Sequence, residues 1–178
     1  MNIFIPKKII IFIIYLLSTS TVYSIDVPNI DNLMIHKDTI KLSKDIRFKD
    51  ENGDIISLSG YKNKLIILNF WATWCAPCKK EMPSLDNLQS NSGFKNLIVI
   101  PVNVGKENIS RSIQFYKKLD IKNLGIFVDE TNNLANLLLL RGIPTTILIN
   151  KNGDEFARIL GAIDFENPSL IKWLTNFD

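Results

Sequence analysis

The feature that most constrains the fold is an apolar segment, Leu65 to Trp71, which ends four residues before a pair of cysteines. The segment, LIILNFW, has the length and character of a strand that is buried on both faces of a sheet. Cys75 and Cys78 follow it and begin a segment whose apolar residues recur at helical spacing. A buried strand that leads directly into a helix predicts an α/β fold, with both thiols at the junction.

The rest of the chain continues to alternate strands and helices. A short hairpin with its turn at Asn52 and Gly53 comes first, because an Asn-Gly pair favours positive φ. Further strands are predicted over 97–104, 125–128, 145–149 and 155–160, and helices over 77–88, 108–119, 131–140 and 167–177. This order predicts a mixed α/β sheet that ends in an antiparallel hairpin and has helices on both faces.

Residues 1–24 are predicted to be an export leader. Two lysines precede an unbroken apolar run from Ile9 to Leu17, which is the arrangement of a signal peptide. Cleavage after Ser24 would release a soluble protein, whereas an uncleaved leader would anchor the chain through residues 9–23. The alternative is a buried helix of the folded domain, which the adjacent lysines disfavour. The remainder is expected in the bacterial periplasm or on the outer face of the cytoplasmic membrane.

Two further segments follow the leader. Residues 25–44 mix polar and charged residues and are predicted to be a linker on the domain surface. Their single histidine, His36, is interpreted as a solvent-exposed residue rather than a ligand or base. Residues 45–178 are predicted to form the folded domain.

Charge and composition exclude several classes of function. The formal net charge is +3, and Lys7 and Lys8 of the leader supply two of those charges. This balance predicts no nucleic-acid partner. Two cysteines and one distant histidine cannot supply the four Cys and His ligands of a zinc site, so no metal or cofactor is expected.

The two cysteines are the candidate catalytic residues. Cys75 lies where the predicted helix begins, and unpaired N–H groups and the helix dipole stabilise a thiolate there. These effects lower its pKa and predict Cys75 as the nucleophile, with Cys78 as the thiol that resolves a mixed disulfide. Pro77 lacks an N–H that would be unpaired in the first turn. The alternatives are a structural disulfide and half of a metal site.

A proline lies just before the predicted strand 145–149. In the sequence Gly142-Ile143-Pro144, a cis proline would place the backbone of Ile143 against the reactive sulfur and a substrate chain. A trans proline at the start of an edge strand is the alternative.

The longer segment from Phe70 to Pro83, FWATWCAPCKKEMP, resembles the active-site segment of the TlpA/ResA-like family. That family belongs to the thioredoxin superfamily and comprises exported or membrane-tethered bacterial thiol:disulfide oxidoreductases. The likeness extends from about Arg47 to Trp173, and the segment Asn123 to Phe127 resembles the TlpA group in particular. It implies a thioredoxin fold with an N-terminal hairpin, a cis Pro144, and the two cysteine roles given above.

The resemblance also implies a catalytic role for Glu81, which corresponds to the family's active-site glutamate. Glu81 lies one helical turn after Cys78, where it could take a proton or tune the pKa of both thiols. Cytosolic thioredoxins have a buried aspartate at the position of Asn69, and an amide cannot accept that proton. The alternative is a solvent-exposed Glu81 that pairs with a lysine.

The residues around the cysteines and the proline are predicted to bind the substrate chain. They are Trp74, Ala76, Pro77, Ile143 and Pro144. Lys79 and Lys80, by contrast, are interpreted as a solvated helix face rather than a docking patch.

The resulting expectation is a reductase of exported client proteins that contain cysteine pairs. The resemblance implies two client pathways, cytochrome c maturation and assembly of the copper site of cytochrome oxidase, and the TlpA-like features favour the second. Electrons would have to come from a transmembrane thiol-transfer reductant. The alternatives are a general oxidase and a redox-inert binding module, and the intact cysteine pair and Pro144 oppose the latter.

Overall fold

The computed structural model describes residues 26–42, 46–131 and 133–178, so the predicted leader lies outside the described residues. Eight described strands form one sheet in the order β1-β8-β7-β4-β5-β6-β2-β3. The strands are β1 (Leu33–Lys41), β2 (Arg47–Lys49), β3 (Ile55–Ser57), β4 (Leu65–Trp71), β5 (Leu97–Asn103), β6 (Phe127–Val128), β7 (Thr145–Ile149) and β8 (Asp154–Leu160). The α-helices are α1 (Ala76–Gln89), α2 (Ile109–Leu119), α3 (Asn133–Leu137) and α4 (Pro168–Leu174).

Strand β4 lies at the centre and is buried along its whole length. It runs parallel to β5 and antiparallel to β7. Because successive side chains of a strand point to opposite faces, Ile67 and Trp71 pack with α1, α2 and α4, whereas Leu68 and Phe70 pack with α3 and the hairpin. Each large apolar side chain buried in this way contributes about 1.5–3 kcal/mol to folding. The mixed sheet with helices on both faces is confirmed.

The helix and strand bounds differ from the predicted ones mainly in the region of α3. A helix was expected over 131–140, but α3 ends at Leu137 because Leu139 has a left-handed φ of 52°. The hairpin turn is as predicted, with Gly53 at a φ of 86°. Within the three described ranges no helix is long and apolar enough to cross a membrane.

The segment expected to be a linker forms an edge strand instead. Strand β1 pairs antiparallel with β8, with an irregular register between Ile35 and Ile40. The Nε2 atom of His36 lies 2.8 Å from Oε1 of Glu155, which also accepts hydrogen bonds from Arg158. The interpretation of His36 as a solvent-exposed residue is therefore wrong, since its side chain is 19% exposed.

Residues 33–41 form a strand because they pair with β8, and their local sequence does not reveal that partner. Without β1, the edge of β8 would carry unpaired backbone groups. Burial by itself would raise the pKa of Glu155, but hydrogen bonds and charges from Arg158 and His36 outweigh it and hold that pKa below its usual value. A buried carboxylate needs such partners, and β1 supplies one of them.

Candidate active site

The site forms where β4 turns into α1. The N–H of Cys75 donates to the carbonyl of Ala72 at 3.2 Å, which closes a tight turn after the strand. Cys75 has an extended backbone and caps α1, since its Sγ accepts a hydrogen bond from the N–H of Cys78 at 3.3 Å. In the dithiol form, the same N–H and the helix dipole would stabilise a thiolate on Cys75.

The two cysteines are joined in a disulfide, with their Cα atoms 5.3 Å apart. Cys75 is 5% exposed and Cys78 is fully buried. In this oxidised state the exposure of Cys75 is small. The order of accessibility nevertheless agrees with the predicted roles, because an incoming thiol can reach only Cys75.

Residues predicted to bind substrate surround Cys75. The peptide bond between Ile143 and Pro144 is cis, as the resemblance implies, and the carbonyl oxygen of Ile143 lies 3.7 Å from Cys75 Sγ. Trp74 is 65% exposed beside the disulfide. Ala76 and Pro77 are also exposed, in the first turn of α1. Their contacts with a substrate chain stay a prediction.

Glu81 is buried, so the alternative of a solvent-exposed glutamate paired with lysine is wrong. Its carboxylate is the acceptor of two hydrogen bonds, from Nδ2 of Asn69 at 2.9 Å and from the N–H of Ile163 at 3.3 Å. Burial raises the pKa of Glu81 to about 7, although both hydrogen bonds act to lower it. A carboxyl group with this pKa exchanges its proton near neutral pH, as a general acid or base requires.

Asn69 links Glu81 to the neighbouring strand. Asn69 lies two residues from both Ile67 and Trp71 on β4, so its side chain is on the same face of the sheet as theirs and points towards α1. Its Nδ2 also donates to Oγ1 of Thr146 on β7, at 2.9 Å. Its Oδ1 is buried and has no hydrogen-bond partner among the described residues. Rotation of the amide by half a turn would present this free acceptor to a protonated Glu81.

Glu81 lines a cavity of about 440 Å³ between α1 and the segment after β8, which connects it to solvent. Lys80 and Ser84 line it from the helix, and Ile163 and Asp164 line it from the segment after β8. Water in this cavity can carry protons to and from the carboxyl group.

A second carboxylate, Glu107, holds the segment before the cysteines and was not predicted from the sequence. It accepts hydrogen bonds from both the N–H and the hydroxyl of Thr73, and from Nδ2 of Asn103 at 3.1 Å. Burial would raise the pKa of Glu107, but these bonds and the charge of Arg111 outweigh it and hold that pKa below its usual value. Its role depends on the ends of the parallel strands β4 and β5 lying side by side, which the sequence alone does not show.

We expect a Glu107→Ala variant to lose about 2 kcal/mol of unfolding free energy at pH 7, because it leaves the Thr73 N–H unpaired. A carboxyl group whose pKa is lowered by folding stabilises the protein above its unfolded pKa, and this contribution disappears as the pH falls through the folded value. The difference from wild type should therefore shrink below about pH 4. Urea unfolding of the disulfide form measures it, with the exposed Glu51→Ala as the matched control. Equal losses of unfolding free energy in Glu107→Ala and Glu51→Ala would contradict the role of Glu107.

The described residues contain no group of three His, Cys, Asp or Glu side chains that could hold a metal ion.

Comparisons with known proteins agree with this geometry. The family model described as "AhpC/TSA family" matches residues 41–154. Thiol-disulfide oxidoreductase ResA of Bacillus subtilis is 34% identical over 115 residues, which are 65% of this chain and 63% of that protein. The protein of the same name from Geobacillus kaustophilus is 32% identical over 123 residues, 69% of this chain and 70% of that one. A solved structure, the exposed lipoprotein thioredoxin of Streptococcus pneumoniae, matches with a TM-score of 0.62 and 27% identity, over 74% of this chain and 98% of that one.

Proposed function

We propose that this chain, which belongs to the AhpC/TSA family and has the thioredoxin fold, is a thiol:disulfide oxidoreductase that reduces disulfides in particular exported proteins. One observation carries the proposal. The disulfide lies at the start of α1, with Cys75 as the cap and Cys78 buried behind it. The helix terminus stabilises a thiolate on the one cysteine that a client can reach, and the second thiol is positioned to release the client.

The exchange proceeds in two steps from the dithiol form. The Cys75 thiolate attacks one sulfur of a client disulfide, which forms a Cys75–client bond and releases the other client sulfur as a thiolate. Cys78 then loses its proton and attacks Cys75 Sγ, so that the Cys75–Cys78 disulfide forms and the second client sulfur leaves. Two electrons pass to the client, whose two thiolates take up the two protons that the cysteines lost.

Glu81 supports the second step. Cys78 must lose a proton in surroundings that are closed to bulk water, and Glu81 lies one helical turn further along α1. With a pKa of about 7, its carboxylate is a base of suitable strength at neutral pH. The cavity beside it lets the proton pass on to solvent.

The partners of this reaction follow from its chemistry. The Cys75–Cys78 disulfide must be reduced again by a dithiol donor, which for an exported protein means a transmembrane thiol-transfer protein. Export rests on the leader over residues 1–24, and the exposed lipoprotein of similar fold supports it. The family resemblance suggests two client classes, apocytochromes c before haem attachment and proteins whose cysteines bind copper as thiols.

The reduction potential tests the direction of the reaction. We expect a value nearer to the −270 mV or so of thioredoxin than to the roughly −120 mV of DsbA, because Ala76 and Pro77 place no histidine between the cysteines to stabilise the thiolate. Equilibration of the protein against glutathione or dithiothreitol buffers measures it. A potential above about −150 mV would identify an oxidant of exported proteins instead.

A further inference from the structure

A second cavity, of about 250 Å³, lies between α2 and two residues, Thr73 and Lys79, that flank the cysteine pair in sequence. These two residues line one side. The other side is formed by α2, which contributes Arg111, Lys118 and the largely buried ring of Phe115. We call this cavity the basic cleft. It is large enough for one side chain of a protein bound at Cys75.

The basic cleft carries positive charge that its own lining does not neutralise. Its charged lining residues are Lys79, Arg111 and Lys118, and all three are exposed. Within the part of the chain that the structure describes, neither Lys79 nor Lys118 forms an ion pair, and no acidic side chain lines the cavity.

One buried carboxylate, that of Glu107, offsets only the charge of Arg111. Glu107 lies 3.8 Å from Arg111, and hydrogen bonds from Thr73 and Asn103 hold its 7% exposed carboxylate outside the lining of the cleft. Lys79 and Lys118 therefore keep their charge without an ion-pair partner among the described residues. The positive field is therefore directed outwards, towards whatever chain reaches the disulfide.

We propose that the basic cleft binds an acidic side chain of the client, so that the preferred substrates are proteins whose reactive cysteine has Asp or Glu a few residues away. This inference rests on the proposed function and names its substrate class. Lys79 and Lys118 attract the carboxylate, and Phe115 contacts the methylene groups that carry it.

Three synthetic peptides test the proposal. Each has the same pair of cysteines closed in a disulfide, with flanking residues that are acidic (Asp and Glu), neutral (Asn and Gln) or basic (Lys). The full chain in its dithiol form is mixed with each peptide, and the second-order rate constant of peptide reduction is measured in a single turnover. We expect the acidic peptide to react about tenfold faster than the neutral one at low salt, and the basic peptide to react slowest. Half-molar salt should remove most of the difference.

Charge-reversal variants test whether the preference for acidic peptides arises in the basic cleft. Lys118→Glu should lower the ratio of the acidic to the neutral rate constant about tenfold, because it replaces an attractive charge in the cleft by a repulsive one. Lys117→Glu makes the same change of net charge on the same helix but outside the cleft, and it should change the ratio less than twofold. Lys118→Ala should lower the ratio in the same direction by a smaller factor.

The outcomes distinguish the proposed preference for acidic substrates from the proposed reductase function on which it rests. Equal rates for the acidic and neutral peptides would overturn the assignment of the basic cleft and leave the reductase intact. An equal fall in the ratio of the acidic to the neutral rate constant in Lys117→Glu and Lys118→Glu would also overturn it, since the overall charge of the protein would then be responsible. Failure to reduce any peptide, the neutral one included, would overturn the proposed function itself.

Discussion

A Cys75→Ser variant is expected to reduce no protein disulfide, whereas a Cys78→Ser variant should accumulate covalent complexes with its clients. A serine hydroxyl at the cap of α1 is not ionised at neutral pH and cannot attack sulfur, so the first step is lost. Without the thiol of Cys78 the mixed disulfide on Cys75 forms but is not resolved. Non-reducing electrophoresis and mass spectrometry of the trapped species measure both effects and identify the clients.

Alkylation of the reduced protein provides the control for these roles. Cys75 should react with iodoacetamide at neutral pH and Cys78 should not, because Cys78 is fully buried behind the first turn of α1. Equal reactivity of the two thiols would contradict the assignment. So would turnover of a protein disulfide by Cys78→Ser at the wild-type rate.

A Glu81→Gln variant is expected to be more stable than the wild type at alkaline pH. Folding raises the pKa of Glu81 from 4.5 to about 7, so the folded state binds this proton more tightly than the unfolded chain does. The wild type therefore loses stability as the pH rises from 4.5 to 7, by about 1.4 kcal/mol per pKa unit or about 3 kcal/mol in all. Glutamine does not titrate, so the variant keeps this stability as the pH rises, and the free Oδ1 of Asn69 can accept its side-chain N–H after rotation of the Asn69 amide.

Urea unfolding of the disulfide form at pH 4.5 and pH 8 measures the difference. Glu81→Gln should gain up to about 3 kcal/mol over the wild type between the two pH values, and the exposed Glu51→Gln should gain almost nothing. The same Glu81→Gln protein should reduce clients more slowly, with altered titration of its thiols, because the amide accepts no proton. Unchanged stability, thiol titrations and rates would return Glu81 to a purely structural role.

The sequence predicted the central sheet and the two cysteines well because both depend on local patterns. The seven-residue apolar run of β4 has the length of a buried strand, and the motif after it indicates a helix. Strand β1 has no such pattern, since it lies at an edge and most of its side chains are exposed. Its pairing with β8 depends on the tertiary structure, which local propensity does not encode.

In the candidate site, too, some features follow from the local sequence and others from the tertiary structure. The role of Glu81 was suggested by the family motif, but its burial depends on Ile163 and on the segment after β8, far away in sequence. Thr146 and Glu107 join the site through strand register and through the adjacent ends of β4 and β5. A single sequence does not give the register of neighbouring strands, so neither residue could be assigned in advance.

The open cavity beside Glu81 has a kinetic consequence. Proton exchange through water in this cavity is fast compared with the exchange of disulfides, so each turnover begins with Glu81 in equilibrium with the surrounding acidity. In the exported location that we propose, no cytoplasmic buffer would surround the protein, and a carboxyl group with a pKa of about 7 changes its charge close to neutral pH. The speed of client reduction would therefore follow the acidity of the medium in which the cell grows.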